Sequence, residues 1–177
     1  MDNFRDEKED CEVLKFVLEQ IFRAKRRKGQ LERRLENIKS DMRSPSAVPD
    51  KGGRRSKGSH GDGTAGIVVK KTNIEERIEK QAENIDQSIE KTMDILDLLP
   101  ETSLEREIVE LRHLDMMGWK EIADSIPMSR SQCNRRYNQA IEDLLQYDIV
   151  QEAIRENRDA YIRYKAAKTV RRKFRKK

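Results

Sequence analysis

Arg130, Ser131, Asn134, Arg135 and Asn138 share one face of a predicted helix, and side chains of these types can read a nucleic-acid groove. An arginine fork matches O6 and N7 of guanine. Asparagine can bond N6 and N7 of adenine in the same way, and serine reaches a base edge or a phosphate. Ser129 and Gln132 join them as candidate DNA contacts, and Lys120, Arg136, Arg171, Arg172 and Lys173 are candidate phosphate contacts. The competing reading is the polar surface of an ordinary helical hairpin.

The elements that must position these residues are legible around them. A helix from about Arg130 to Leu145 buries Cys133, Tyr137, Ala140, Ile141 and Leu144 at i, i+3 and i+4 spacing. Ser129 is a ready N-cap, its hydroxyl accepting an orphan backbone N–H. Before it a short helix carries Ile122 and Ile126 on one face, with Ala123 where two helices cross. Pro127-Met128 breaks that helix and puts Met128 in the corner of the core. Upstream, Thr102 and Glu105 fit a capping box, and Leu104, Ile108, Leu111 and Leu114 form an apolar stripe to about Asp115. Met117-Gly118 then turns the chain into Trp119. The order is that of a helix-turn-helix unit, a motif that docks in the major groove.

Over about Leu98 to Leu145 the chain resembles region four of bacterial sigma factors, which reads the upstream promoter element. It looks still more like the sigma-like C-terminal domains of short phage and prophage regulators of the RinA/ArpU type. The resemblance implies binding to double-stranded DNA and regulation of phage or prophage genes, late or structural ones, with host RNA polymerase as a further partner. Over the N-terminal half it extends only to architecture: long helix, variable linker, long helix. Two positions depart from the pattern. Pro127 stands where helix-turn-helix units often place a left-handed glycine, so the turn must take another shape. Cys133 replaces a branched aliphatic and packs as a small apolar group.

Composition bounds the alternatives. Of 177 residues, 40% are charged, 35% hydrophobic and 5% aromatic, too lean for one large core and suited to elongated helices around a small domain. No apolar run is long enough to span a membrane, and the N-terminus lacks the order of a signal peptide. Cys11 and Cys133 lie in unrelated segments, which makes a reduced, cytoplasmic setting the default, and the resemblance implies that the cell is a bacterial host. Gly61 to Gly66 match G-x-G-x-x-G, but no strand precedes them, so a dinucleotide site is rejected. His60 reads as solvated, and His113 as a surface or partly buried histidine without ligand partners at metal spacing. No nucleophile-base pair or metal set appears, so the chain is read as a non-enzyme that needs no cofactor.

The remaining segments divide as follows. Residues 1–43 form a helix, from about Arg5 to Met42, with a heptad seam of Leu14, Ile21, Lys28, Leu35 and Met42 alternating with Val17, Ala24, Leu31 and Ile38. Its basic run Arg23–Lys28 reads as a solvated face or as a phosphate-binding strip. Residues 44–71 are a flexible basic linker. Residues 72–99 are a second helix, capped by Thr72 and Glu75, with an apolar stripe of Ile74, Ile78, Ala82, Ile85, Ile89, Met93 and Leu96. The two helices can pair within one chain as a hairpin, or the first can pair with its copy in a homo-oligomer. Residues 100–147 are the sigma-like domain, with Pro100 at its boundary. Residues 148–177 carry eleven Lys and Arg against four acidic residues, a surplus of seven, larger than the whole chain's +5. This segment reads as an amphipathic helix to about Tyr164 and a frayed basic end that attracts phosphates or serves solubility.

The expected fold is therefore all-α: a long hairpin or coiled coil, a helix-turn-helix domain, and a basic C-terminal helix or tail. The expected function is sequence-specific DNA binding in transcription regulation. The alternative is a DNA-recognition or assembly subunit of a phage packaging machine, since coiled coil plus helix-turn-helix describes that class as well.

Overall fold

The computed structural model describes the backbone of residues 3–43 and 62–174, and the side chains of residues 7–40 and 66–170. Residues 44–61, most of the expected linker, lie outside the described residues. Among those described there are seven helices and no strand: α1 (Asn3–Leu18), α2 (Gln20–Arg43), α3 (Asp62–Leu96), α4 (Leu104–His113), α5 (Trp119–Ser125), α6 (Arg130–Leu144) and α7 (Asp148–Phe174). The all-α class follows. None of these helices is long and apolar enough to cross a membrane.

The chain forms two compact units. The first joins Met1–Phe22 to Asp86–Lys177. Its core is one continuous cluster drawn from α1, the end of α3, and α4 to α7. Val13, Leu14 and Leu18 of α1, Ile108 of α4, Ile122 of α5, Ile141 and Leu144 of α6, and Ile154 of α7 are all buried in it. Helix α6 is the hub, packed by α1, α4 and α5, while α7 lies along α1. The α1–α7 seam combines apolar and polar contacts. The Phe16 ring meets Tyr161 edge-on at 5.7 Å and Tyr164 at 5.2 Å. The Tyr161 hydroxyl donates to Glu12 at 2.9 Å, and just beyond α1 the first residue of α2, Gln20, donates from Nε2 to Asn157 Oδ1 at 2.7 Å. Arg158 pairs with Asp10.

The second unit, Arg23–Ile85, holds the rest of α2 and the first part of α3. Leu31 and Ile85 are buried in it, while Ala24, Leu35, Ile38, Ile74, Ile78 and Ala82 are half-buried. The apolar stripes on these helices are thus partly covered.

Four local features differ from the sequence expectation. The first helix is interrupted at Glu19. The Leu18 backbone beside this break is bonded by the His113 ring, while Glu19 N still donates to the Lys15 carbonyl at 3.0 Å. Helix α3 begins at Asp62, well before Asn73, and Thr72 is interior: its hydroxyl donates to the Val68 carbonyl at 3.2 Å. Gly63 and Gly66 are therefore helical. The cap of α4 is Ser103, whose hydroxyl accepts from Arg106 N at 3.2 Å, and not Thr102. Helix α7 continues past Tyr164 to Phe174.

Candidate nucleic-acid interface

The turn that leads into α6 has an extended shape. Ile126 has φ −107° and ψ 135°, as a residue before proline should, and Ser129 has φ −69° and ψ 152°. Pro127 therefore joins the helices without a left-handed residue; among the described non-glycine residues only Met116 has a positive φ, at 61°. Met128 is half-buried against the core, as its corner position requires. Ser129 caps α6 as expected. Its hydroxyl accepts from Gln132 N at 3.3 Å, and Gln132 Oε1 accepts from Ser129 N at 2.9 Å. The buried side of α6 is Cys133, Tyr137, Ala140, Ile141 and Leu144, the stripe read from the sequence.

The opposite side divides in two along its length. Arg130, Ser131, Asn134 and Arg135 are exposed, and none makes a side-chain hydrogen bond or ion pair with another described residue. The other candidates on α6 are engaged. Gln132 uses its carbonyl oxygen in the cap. Arg136 pairs with Glu105 of α4, and that hydrogen bond is the main reason the Glu105 carboxyl titrates below its usual range. Asn138 Oδ1 accepts from Lys15 Nζ of α1 at 2.8 Å. Lys120 is exposed in the first turn of α5. Arg171, Arg172 and Lys173 belong to the last turn of α7, and their side chains lie outside the described residues.

A buried polar group beneath α6 holds the bundle together. His113 Nε2 and the Tyr137 hydroxyl are 3.0 Å apart. The His113 bond to the Leu18 backbone favours the protonated ring, so the Leu18 group is the carbonyl, which can only accept. The ring N–H therefore faces Leu18, and Nε2 is left to accept from Tyr137. Burial, then the neighbouring Arg112 charge, pushes His113 down to about 3. Burial, then the Glu19 charge, pushes the Tyr137 phenol up. Trp119 meets Tyr137 edge-on at 5.2 Å, and the Arg112 guanidinium lies 5.1 Å from the Trp119 ring centre while donating to the Met117 carbonyl at 2.8 Å. Arg112 thus pins the α4–α5 turn against the aromatic cluster.

Lys15, Arg112 and His113 were not among the candidate residues of the sequence. His113 stands five residues after Ile108, where a wider apolar face of α4 would have included it. No local signal ties Lys15 to Asn138, which is 123 residues away. Among the described residues no three His, Cys, Asp or Glu side chains group as metal ligands.

No curated protein and no solved structure matches the chain. One family model matches residues 26–146, from the first turns of α2 to just beyond the end of α6. The chain therefore belongs to the family described as "Protein of unknown function (DUF722)".

Proposed function

We propose that this protein binds double-stranded DNA through α5 and α6 as a helix-turn-helix unit and acts as a transcriptional regulator of phage or prophage genes. The observation that carries the reading is the open N-terminal half of α6. Arg130, Ser131, Asn134 and Arg135 project from a firmly capped helix whose other side is fixed in a core, without a protein partner among the described residues. The N-terminal residues of a recognition helix are those that contact base edges, and these four types match the donors and acceptors of a major groove. Asn138 and Arg136 have the secondary task of holding α6 against α1 and α4. The partly covered stripes of α2 and α3 would serve as the seam that sets oligomeric state or meets host RNA polymerase.

Selection of a preferred duplex from a random library, followed by titration of Arg130→Ala and Arg135→Ala, tests the reading. A residue that holds a guanine should lose about 1–3 kcal/mol on the selected site when removed, and relax preference at one base pair. Absence of any preferred site, or equal losses on selected and random DNA for both variants, would remove sequence reading by α6. Binding that requires a ring-sized oligomer in solution would favour the packaging-subunit alternative.

A further inference from the structure

Helix α2 carries a second charged surface in the other compact unit. Arg26, Arg27, Arg33 and Arg34 fall at i, i+1, i+7 and i+8, so they form two pairs, two turns apart, on one face. All four are exposed. Glu32 and Glu36 point to another side of the helix, and Gln30 lies between the pairs. None of the four arginines has a hydrogen bond or ion pair with another described residue.

They share this with Arg130 and Arg135 of α6, whereas other cations of the chain are paired. Arg106, Arg136, Arg158, Lys28, Lys71 and Lys91 each meet a carboxylate. A face needed only for solubility would be served by such mixed pairs. Four like charges instead repel one another, a cost that a polyanion removes. The choice of arginine over lysine also points to phosphate, because its planar fork donates two parallel bonds to two oxygens. Gly29 adds to the pattern. It lies inside α2, where glycine weakens a helix, and a Cβ there would meet nothing closer than Arg33 Nη1 at 4.0 Å. Packing therefore does not explain it. Its missing side chain leaves the helix surface bare beside Arg26 and Arg33, as close approach of a bulky anion would require.

We infer that the arginine face of α2 binds the phosphate backbone of duplex DNA, independently of sequence. The choice of DNA as the polyanion rests on the reading of α6 proposed above; the anion-binding face does not. The two arginine pairs are about 10 Å apart along the helix axis, comparable with the roughly 12 Å width of a major groove, so they can reach phosphates on both of its walls.

The test uses the full chain and two duplexes, one selected and one of random sequence, titrated by fluorescence anisotropy over a range of salt. In the variant Arg26→Gln/Arg27→Gln/Arg33→Gln/Arg34→Gln, affinity should fall by at least tenfold on both duplexes, with their ratio unchanged. The slope of log affinity against log salt should become shallower by about 0.9 for each phosphate that the protein no longer neutralises, or about 2–4 in all. Glutamine is a good helix former, so circular dichroism should show unchanged helix content. The matching Arg→Lys variant guards against a folding artefact: it should keep most of the salt slope and lose only part of the affinity. Wild-type affinity and slope in the glutamine variant would overturn the inference. Normal DNA binding without transcriptional activity would also overturn it, in favour of an acidic protein partner. Neutral Arg130→Ala and Arg135→Ala variants would remove the α6 reading alone, because the α2 face is judged by the salt slope on random DNA. A wild-type chain that binds neither duplex would overturn both.

Discussion

At the scale of single residues, the most consequential side chain is His113, which touches no candidate DNA-binding residue yet joins three helices. Its ring bonds Tyr137 of α6 and the last residue of α1, from a position at the end of α4. It does so as a neutral group. In the unfolded chain the ring takes a proton near 6.5, whereas the folded ring is held down to about 3. Unfolding is therefore coupled to proton uptake between these values, and stability is lost as pH falls through 6.5 toward 3. Between pH 7 and pH 5, above the main carboxylate range, the loss should be about 2 kcal/mol, at about 1.4 kcal/mol per unit of pKa shift. Urea denaturation at the two pH values measures it. His113→Gln keeps a donor and an acceptor without the charge, so its stability should be nearly flat over the same interval. An equal pH dependence in that variant would assign the effect to other groups.

At the scale of elements, α7 packs on the core of the first unit as far as Tyr161 and Tyr164, and residues 165–170 after them are exposed. Val150, Ala153, Ile154 and Tyr161 are buried, whereas Ile162 is about half exposed at 51%. The contrast gives an internal control. Ile154→Ala should destabilise the first unit by about 2–5 kcal/mol, through reduced burial and the cavity left behind. Ile162→Ala, one residue beyond Tyr161 and facing solvent, should change stability by less than about 0.5 kcal/mol. Thermal or chemical denaturation of the two variants separates them. Similar small effects would mean that α7 does not seal the core. The same seam explains why α1 is not a free coiled-coil strand: Asp10, Glu12 and Phe16 all face partners on α7.

At the scale of the whole molecule, the sequence places positive charge in three separate regions: α6, the arginine face of α2 and the basic end of the chain. The last of these is the part to remove, since Tyr161 is the final buried residue among the described residues of α7. Truncation after Thr169 removes Arg171, Arg172, Lys173 and the three basic residues that follow Phe174. If they bind phosphates, affinity should fall alike on all duplexes, and the salt slope should become shallower by about 0.9 for each phosphate released. The ratio between selected and random DNA should stay fixed, because phosphate binding carries no sequence information. An unchanged slope accompanied by aggregation would make this segment a solubilising tail.

Local signals and long-range partners were not equally legible. Helix α6, its Ser129 cap and its five-residue buried stripe could be read directly, because a cap and an i, i+3, i+4 pattern involve residues within a few positions of one another. That the turn at Pro127 is not left-handed followed from the fixed φ of proline, while its extended shape was decided by the structure. Helix starts were less legible: Thr72 and Thr102 each stand in a capping-box spacing, but only packing decided that Thr72 is interior and that the next residue after Thr102, Ser103, caps α4. The heptad seam of the first helix announced an apolar face that needs cover without saying what covers it. Tertiary structure covered Leu14 and Val17 within the α1, α6 and α7 core. It likewise tied Asn138 to Lys15 and Arg136 to Glu105, leaving Arg130, Ser131, Asn134 and Arg135 as the open face. Amphipathic periodicity specifies which side of a helix is buried. The identity of the burying partner depends on contacts between residues more than a hundred positions apart, which no local pattern encodes.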